Sequence, residues 1–174
     1  FNDRWIRRGL WNKSYYEARV PEVPTMLLEL LSHQNYADMK LGLDPRFQFL
    51  VSRSIYKGIL KYLSALNDEE DYMVQPLPIR QFSCIFVDKN KVKLRWKTRM
   101  DSLEPSAVAE HFVVYTRIDD GDFDNGVLVS DTEYLKVLEQ GKIYSFKVTS
   151  VNRGGESFPS EILSVCSHPH EKGN

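Results

Sequence analysis

From residue 91 onward the chain alternates, and that alternation constrains its fold more than any other feature. In "KVKLRW" Val92, Leu94 and Trp96 fall on one side, and in "IYSFKVTSV" Tyr144, Phe146 and Val148 do the same. Side chains repeat every two residues only along a β-strand, so each stretch reads as a strand with one buried face. Between them lie "HFVVYTRI", the turn-rich "DDGDFDNG" and "VLVS", and "EILSVCS" follows. Short strands separated by turn signals predict a β-sandwich over residues 76–167, a suitable length for one.

The first third has a different character. "LDPRFQFLVSRSIYKGILKYLSAL" places Phe47, Leu50, Val51, Ile55, Ile59 and Leu63 at spacings of three and four. This is the period of a helix with one apolar face. Asp44 suits the N-cap and Pro45 the first helical position, which predicts a helix over about 45–65. Gly58 lies inside it, at a cost of about 1 kcal/mol relative to Ala. Ahead of the helix, "SYYEARV" and "TMLLEL" read as strands, the second apolar on both faces as in a central strand of a covered sheet. The expected organisation is α+β overall: a partial α/β segment at 1–66, a linker at 67–75 with an acidic run and prolines just beyond, an all-β sandwich at 76–167, and a frayed tail at 168–174. Two or three strands and one helix make a poor domain alone, and the opening "FNDRWIRR" has no initiator Met, so 1–66 is expected to be the end of a longer domain that packs on another chain or on the sandwich.

Composition narrows the function classes. A hydrophobic fraction of 42% supports a buried core, and a net charge of −1 gives no basic excess that would point to nucleic acid. No apolar run is long enough to span a bilayer. Cys84 and Cys166 are too far apart in sequence for a metal motif, and two thiols or one disulfide both remain open. The four histidines, His33, His111, His168 and His170, lack ligand spacing with acidic partners. One carboxylate is conspicuous. Glu29 interrupts the run Met26, Leu27, Leu28, Leu30, Leu31. A buried charge must neutralise, find a partner or serve chemistry, and an ion pair with Arg19 is one way out.

The second region resembles a fibronectin type III domain. The likeness runs from Pro76 and Pro78 through Trp96, then Phe112 and Val114, to "GKIYSFKVTSVNRGGESFPSE". It implies that Trp96 fills the core, that the Tyr144 hydroxyl bonds back to the backbone at a tyrosine corner, and that Gly155 occupies a permissive turn. The connection 98–110 is longer than usual, and the strand around Cys84 is weakly patterned. The loop that carries Arg-Gly-Asp in some members reads Asn152-Arg153-Gly154-Gly155 here, which gives integrin binding no support. Phe123 and Phe158 either contact sugars or cap the ends of the sandwich. The resemblance implies a spacer or interaction module.

The first 66 residues resemble the C-terminal end of the zinc-dependent N-acetylmuramoyl-L-alanine amidases. Arg19 stands five positions before Pro24, Thr25-Met26-Leu27-Leu28-Glu29 follows, Asn35 lies six beyond Glu29, and the closing helix comes after Asp38. The resemblance implies that Glu29 is the catalytic carboxylate, with Arg19, His33 and Asn35 as substrate-binding or supporting residues. Leu31-Ser32 replaces the family's Gly-Phe, and His33 stands where an aliphatic residue is usual. The family's zinc ligands belong to motifs missing from these residues, so zinc is expected in a full-length parent and no cofactor in this chain, which by itself is expected to be inactive. The implied parent is a peptidoglycan hydrolase of the cell envelope, periplasmic or secreted, acting on peptidoglycan or another envelope polysaccharide. The alternative is a non-catalytic binding or scaffold part of a secreted, lyase-like polysaccharide-processing protein.

Overall fold

The computed structural model describes residues 9–68 and 72–167. The chain divides into two compact units, 1–54 and 55–174. The histidines at 168 and 170, the tail from 168 and the acidic run at 69–71 lie outside the described residues.

The first unit is helical where it is regular. It contains α1 (Tyr16–Arg19), α2 (Tyr36–Gly42) and the start of α3 (Pro45–Leu66). Each longer helix begins at a residue with the chemistry to start one. The Asn35 side chain accepts from the amides of Ala37 at 2.9 Å and Asp38 at 3.2 Å, capping α2. The Asp44 carboxylate accepts from the Arg46 amide at 2.8 Å, as its position before Pro45 predicts. The Asp38 carboxylate reaches back to the Ser32 amide at 3.0 Å and fixes the entry to α2.

The strands expected in this region do not form. Part of "SYYEARV" is α1, and Thr25–Leu30 runs as irregular, exposed backbone, with Met26 at 62% exposure. A strand satisfies its amides and carbonyls only beside another strand, and two isolated candidates cannot bury apolar residues on both faces. Glu29 is therefore exposed and not buried among leucines. The helix matches its expected span, but Leu50, Ile59 and Leu63 of its apolar stripe are exposed. Its least exposed positions are Arg53 and Ser64. In the second unit the rest of α3 is anchored by polar groups: the Tyr56 hydroxyl accepts from the Gln75 amide at 3.4 Å, and the Lys57 ammonium lies 3.8 Å from the Glu104 carboxylate.

The remainder of the second unit is the β-sandwich. One sheet has the order β1-β2-β5, from β1 (Arg80–Asp88), β2 (Lys91–Lys97) and β5 (Glu133–Val137). The other is built on β3 (His111–Ile118) and β6 (Ile143–Asn152), paired antiparallel from His111↔Val151 to Ile118↔Tyr144. It is flanked by β4 (Val127–Val129) on one side and by β7 (Gly155–Glu156) and β8 (Leu163–Cys166) on the other. The alternation does what it predicted. Val92, Leu94 and Trp96 face Phe112, Val114, Tyr144, Phe146 and Val148 across a continuous core. Strand β5, which the sequence pattern did not disclose, closes the first sheet.

Pro159 has no amide to donate, and the regular edge strand breaks between β7 and β8. Two serines carry the pairing across the break. Ser157 Oγ accepts from the Ser150 amide at 2.9 Å, and Ser160 Oγ accepts from the Val148 amide at 3.0 Å. Their own amides return bonds to the Ser150 carbonyl at 2.8 Å and the Val148 carbonyl at 2.9 Å. The "SFPS" sequence thus keeps the edge satisfied where a proline would otherwise leave orphaned groups.

Candidate functional site

The sequence-derived site residues all lie in the first unit and are all exposed. Glu29 sits on the irregular segment before α2, and His33 in the turn that leads to it. Asn35 is committed to capping α2 through its side-chain oxygen. The Arg19 guanidinium, at the end of α1, donates to the Ser14 hydroxyl. Among the described residues, no group of three or more His, Cys, Asp or Glu side chains is arranged to hold a metal ion. The donor set therefore does not fit a zinc site. No described helix is long and apolar enough to cross a membrane.

The sandwich carries a second set of positioned groups. Trp96 is 4% exposed and meets Phe112 edge-on at 5.4 Å and Phe82 at 6.4 Å between ring centroids. The Tyr144 ring is buried, and its hydroxyl accepts from the Glu139 amide at 3.1 Å, which makes the corner the sequence implied. Gly155 has φ +123°, a conformation that disfavours side chains. Cys84 and Cys166 are both thiols, and partial burial pushes the Cys84 thiol pKa above its ordinary value.

Asn152 is a residue whose role sequence reasoning missed. Its amide nitrogen donates to the carbonyls of Val74 at 3.0 Å, Val108 at 3.1 Å and Ser106 at 3.4 Å, and its oxygen accepts from the Gly154 amide at 2.8 Å. Gly154 packs so closely on this segment that a Cβ there would meet the Met73 carbonyl oxygen at 2.3 Å. Val74, inside the expected linker, is fully buried. The only sequence signal was the run Val151-Asn152-Arg153-Gly154, which marks a turn without saying what the asparagine holds.

On the outer face of the larger sheet, Phe123 is half-buried beneath two cations. Lys147 Nζ lies 4.4 Å and the Arg117 guanidinium 5.1 Å from its ring centroid. Phe158 is exposed. Nearby, Glu156 Oε1 accepts from the Tyr115 and Thr149 hydroxyls, each at 2.6 Å.

Sheets of three and five strands, a tryptophan between them and a tyrosine corner define a fibronectin-like sandwich, the architecture of a spacer or interaction module. The family model "Fibronectin type III domain" matches residues 77–165, just over half of the chain, and the chain belongs to that family. Solved structures with a similar fold include the twitchin kinase region from C. elegans, at 22% identity and TM-score 0.49 over 57% of this chain and 18% of that one. Another is the FN5 domain of Drosophila Lar, at 14% identity and TM-score 0.42 over 55% of this chain and 99% of that one. A third is rat CD45 extracellular domains d3–d4, at 14% identity and TM-score 0.46 over 53% and 50% of the two chains. No curated protein gives a significant match.

Proposed function

We propose that this chain belongs to a cell-envelope N-acetylmuramoyl-L-alanine amidase, in which the fibronectin type III domain is a spacer or interaction module and Glu29 is the general acid/base. The observation that carries the reading is an exposed carboxylate within the apolar stretch Met26–Leu31, with Arg19, Pro24 and Asn35 at the spacing of the amidase family's C-terminal segment. An exposed carboxylate suits this chemistry, because the attacking water must lose a proton and the leaving amine must gain one. The exposed leucines around Glu29 also fit a segment that buries itself against the rest of a catalytic domain. The zinc of such enzymes would need ligands that the described residues do not offer.

The test is hydrolysis of muropeptides by the full-length polypeptide that carries this chain. Glu29→Gln preserves shape and removes the proton chemistry. It should lower turnover at least about 10²-fold, the lower end of what general acid–base catalysis contributes. Undiminished turnover in that variant removes Glu29 from catalysis. A wild-type polypeptide that binds muropeptides without cleaving them replaces the hydrolase with a binding role.

A further inference from the structure

The smaller sheet turns an unusual face outward. Strand β2 buries Val92, Leu94 and Trp96, so Lys91, Lys93, Arg95 and Lys97 all project from the opposite side. The register adds Arg80, opposite Lys97, to the same row. Two carboxylates share this face: Asp88 opposite Lys91, and Glu133 opposite Arg95. Glu133 serves two cations at once, 3.6 Å from Lys93 and 3.5 Å from Arg95. Five cations against two carboxylates on one face contrast with the chain's net charge of −1. Residues two apart on a strand are spaced by about 7 Å, so the β2 row alone runs for roughly 20 Å.

Aliphatic side chains border the row. Ile85 and Leu135 lie on either side of Lys93, and Val137 lies beside Lys91. They are 45–60% exposed. Apolar surface beside a line of cations suits a ligand that alternates negative groups with hydrocarbon.

We propose that the outer face of the β1-β2-β5 sheet binds a linear acidic polysaccharide, laid along β2 with its carboxylates on the lysine and arginine row and the C–H faces of its sugars on Ile85, Leu135 and Val137. The inference rests on the sandwich alone and is independent of the amidase reading. Single-stranded nucleic acid is disfavoured because the side chains beside the cations are aliphatic and give bases no aromatic platform. An anionic lipid surface is disfavoured because the apolar neighbours of the cations are Ile85, Leu135 and Val137, with no tryptophan or phenylalanine of the kind that interfacial anchors seat beside their cations.

The test is affinity electrophoresis of the full chain in gels containing polygalacturonate, with dextran as the neutral control. Wild type should be retarded by polygalacturonate alone, and less so as salt rises, because binding releases condensed counterions. The Lys91→Gln/Lys97→Gln variant should bind about tenfold more weakly, while Lys40→Gln/Lys61→Gln, with the same change in charge elsewhere, should match wild type. Glu133→Gln removes the carboxylate that competes for Lys93 and Arg95 and should strengthen binding by about threefold. That gain cannot arise from a damaged fold. Glu17→Gln, a charge change of the same size in the first unit, should leave binding unchanged. The proposal is overturned if wild type is not retarded, if the two lysine pairs weaken binding equally, or if single-stranded DNA or phosphatidylserine vesicles bind more tightly than polygalacturonate.

Discussion

Asn152 offers the sharpest test of how the sandwich holds the chain that enters it. Its amide joins three backbone carbonyls from two separate segments and accepts from a fourth backbone group. Asn152→Ala removes all four bonds and leaves the Val74 carbonyl, on a fully buried residue, without that donor. Each bond contributes about 0.5–1.5 kcal/mol net, and an orphaned buried acceptor costs about 1–3 kcal/mol. The bonds share two amide hydrogens, so the contributions do not simply add, and the expected loss is about 2–4 kcal/mol. With a urea m-value of about 1–2 kcal/mol/M, the sandwich transition should move by roughly 1–4 M, as followed by circular dichroism. Amide exchange at residues 73–75 should accelerate along with it. Asn152→Asp should be worse than Ala at neutral pH, because a carboxylate would face carbonyl oxygens where an amide donated. That environment favours the protonated acid, so the folded-state pKa is raised. The Asp penalty should then ease as pH falls through that raised value, since the protonated form regains a donor. An Asn152→Ala protein within about 0.5 kcal/mol of wild type, or an Asp variant that gains stability as pH rises, refutes the reasoning.

Trp96→Ala should cost about 3–5 kcal/mol in the same unfolding assay. Trp96→Phe should cost much less, because the buried indole N–H has no hydrogen-bond partner among the described residues to lose. Gly154→Ala should destabilise by about 1–3 kcal/mol, since its new methyl group meets the Met73–Val74 backbone and not a yielding side chain. The Tyr115 phenol is pushed up to about 12, first by its hydrogen bond to Glu156, then by partial burial and the nearby carboxylate charge. Ultraviolet titration should show one tyrosine ionising late and Glu156→Gln should bring it down. The stability this pair contributes is present below the ordinary tyrosine pKa of about 10 and is lost as pH rises through the raised value.

What the sequence determined by itself was whatever repeats at short range. A period of two named β2 and β6 and placed Trp96, Tyr144 and Phe146 in the core, because a strand's two faces are fixed by its pleat. The Asp44-Pro45 start and the helical period fixed α3, because capping and backbone hydrogen bonding are local. The same local rules misjudged "TMLLEL". Its composition suits a buried strand, but a strand exists only with a neighbour, and residues 9–66 supply none. Glu29 consequently lies in the open and not in a core. The tertiary structure alone decided which face of α3 stays exposed, where β5 docks, and that Asn152 fastens Val74 and Val108 across 78 and 44 residues of chain. It also decided that the Arg80 cation joins the β2 row, through the register of two strands. These outcomes depend on which distant backbone groups and charges meet, and that information lies in the closing of the sandwich, not in any window of sequence.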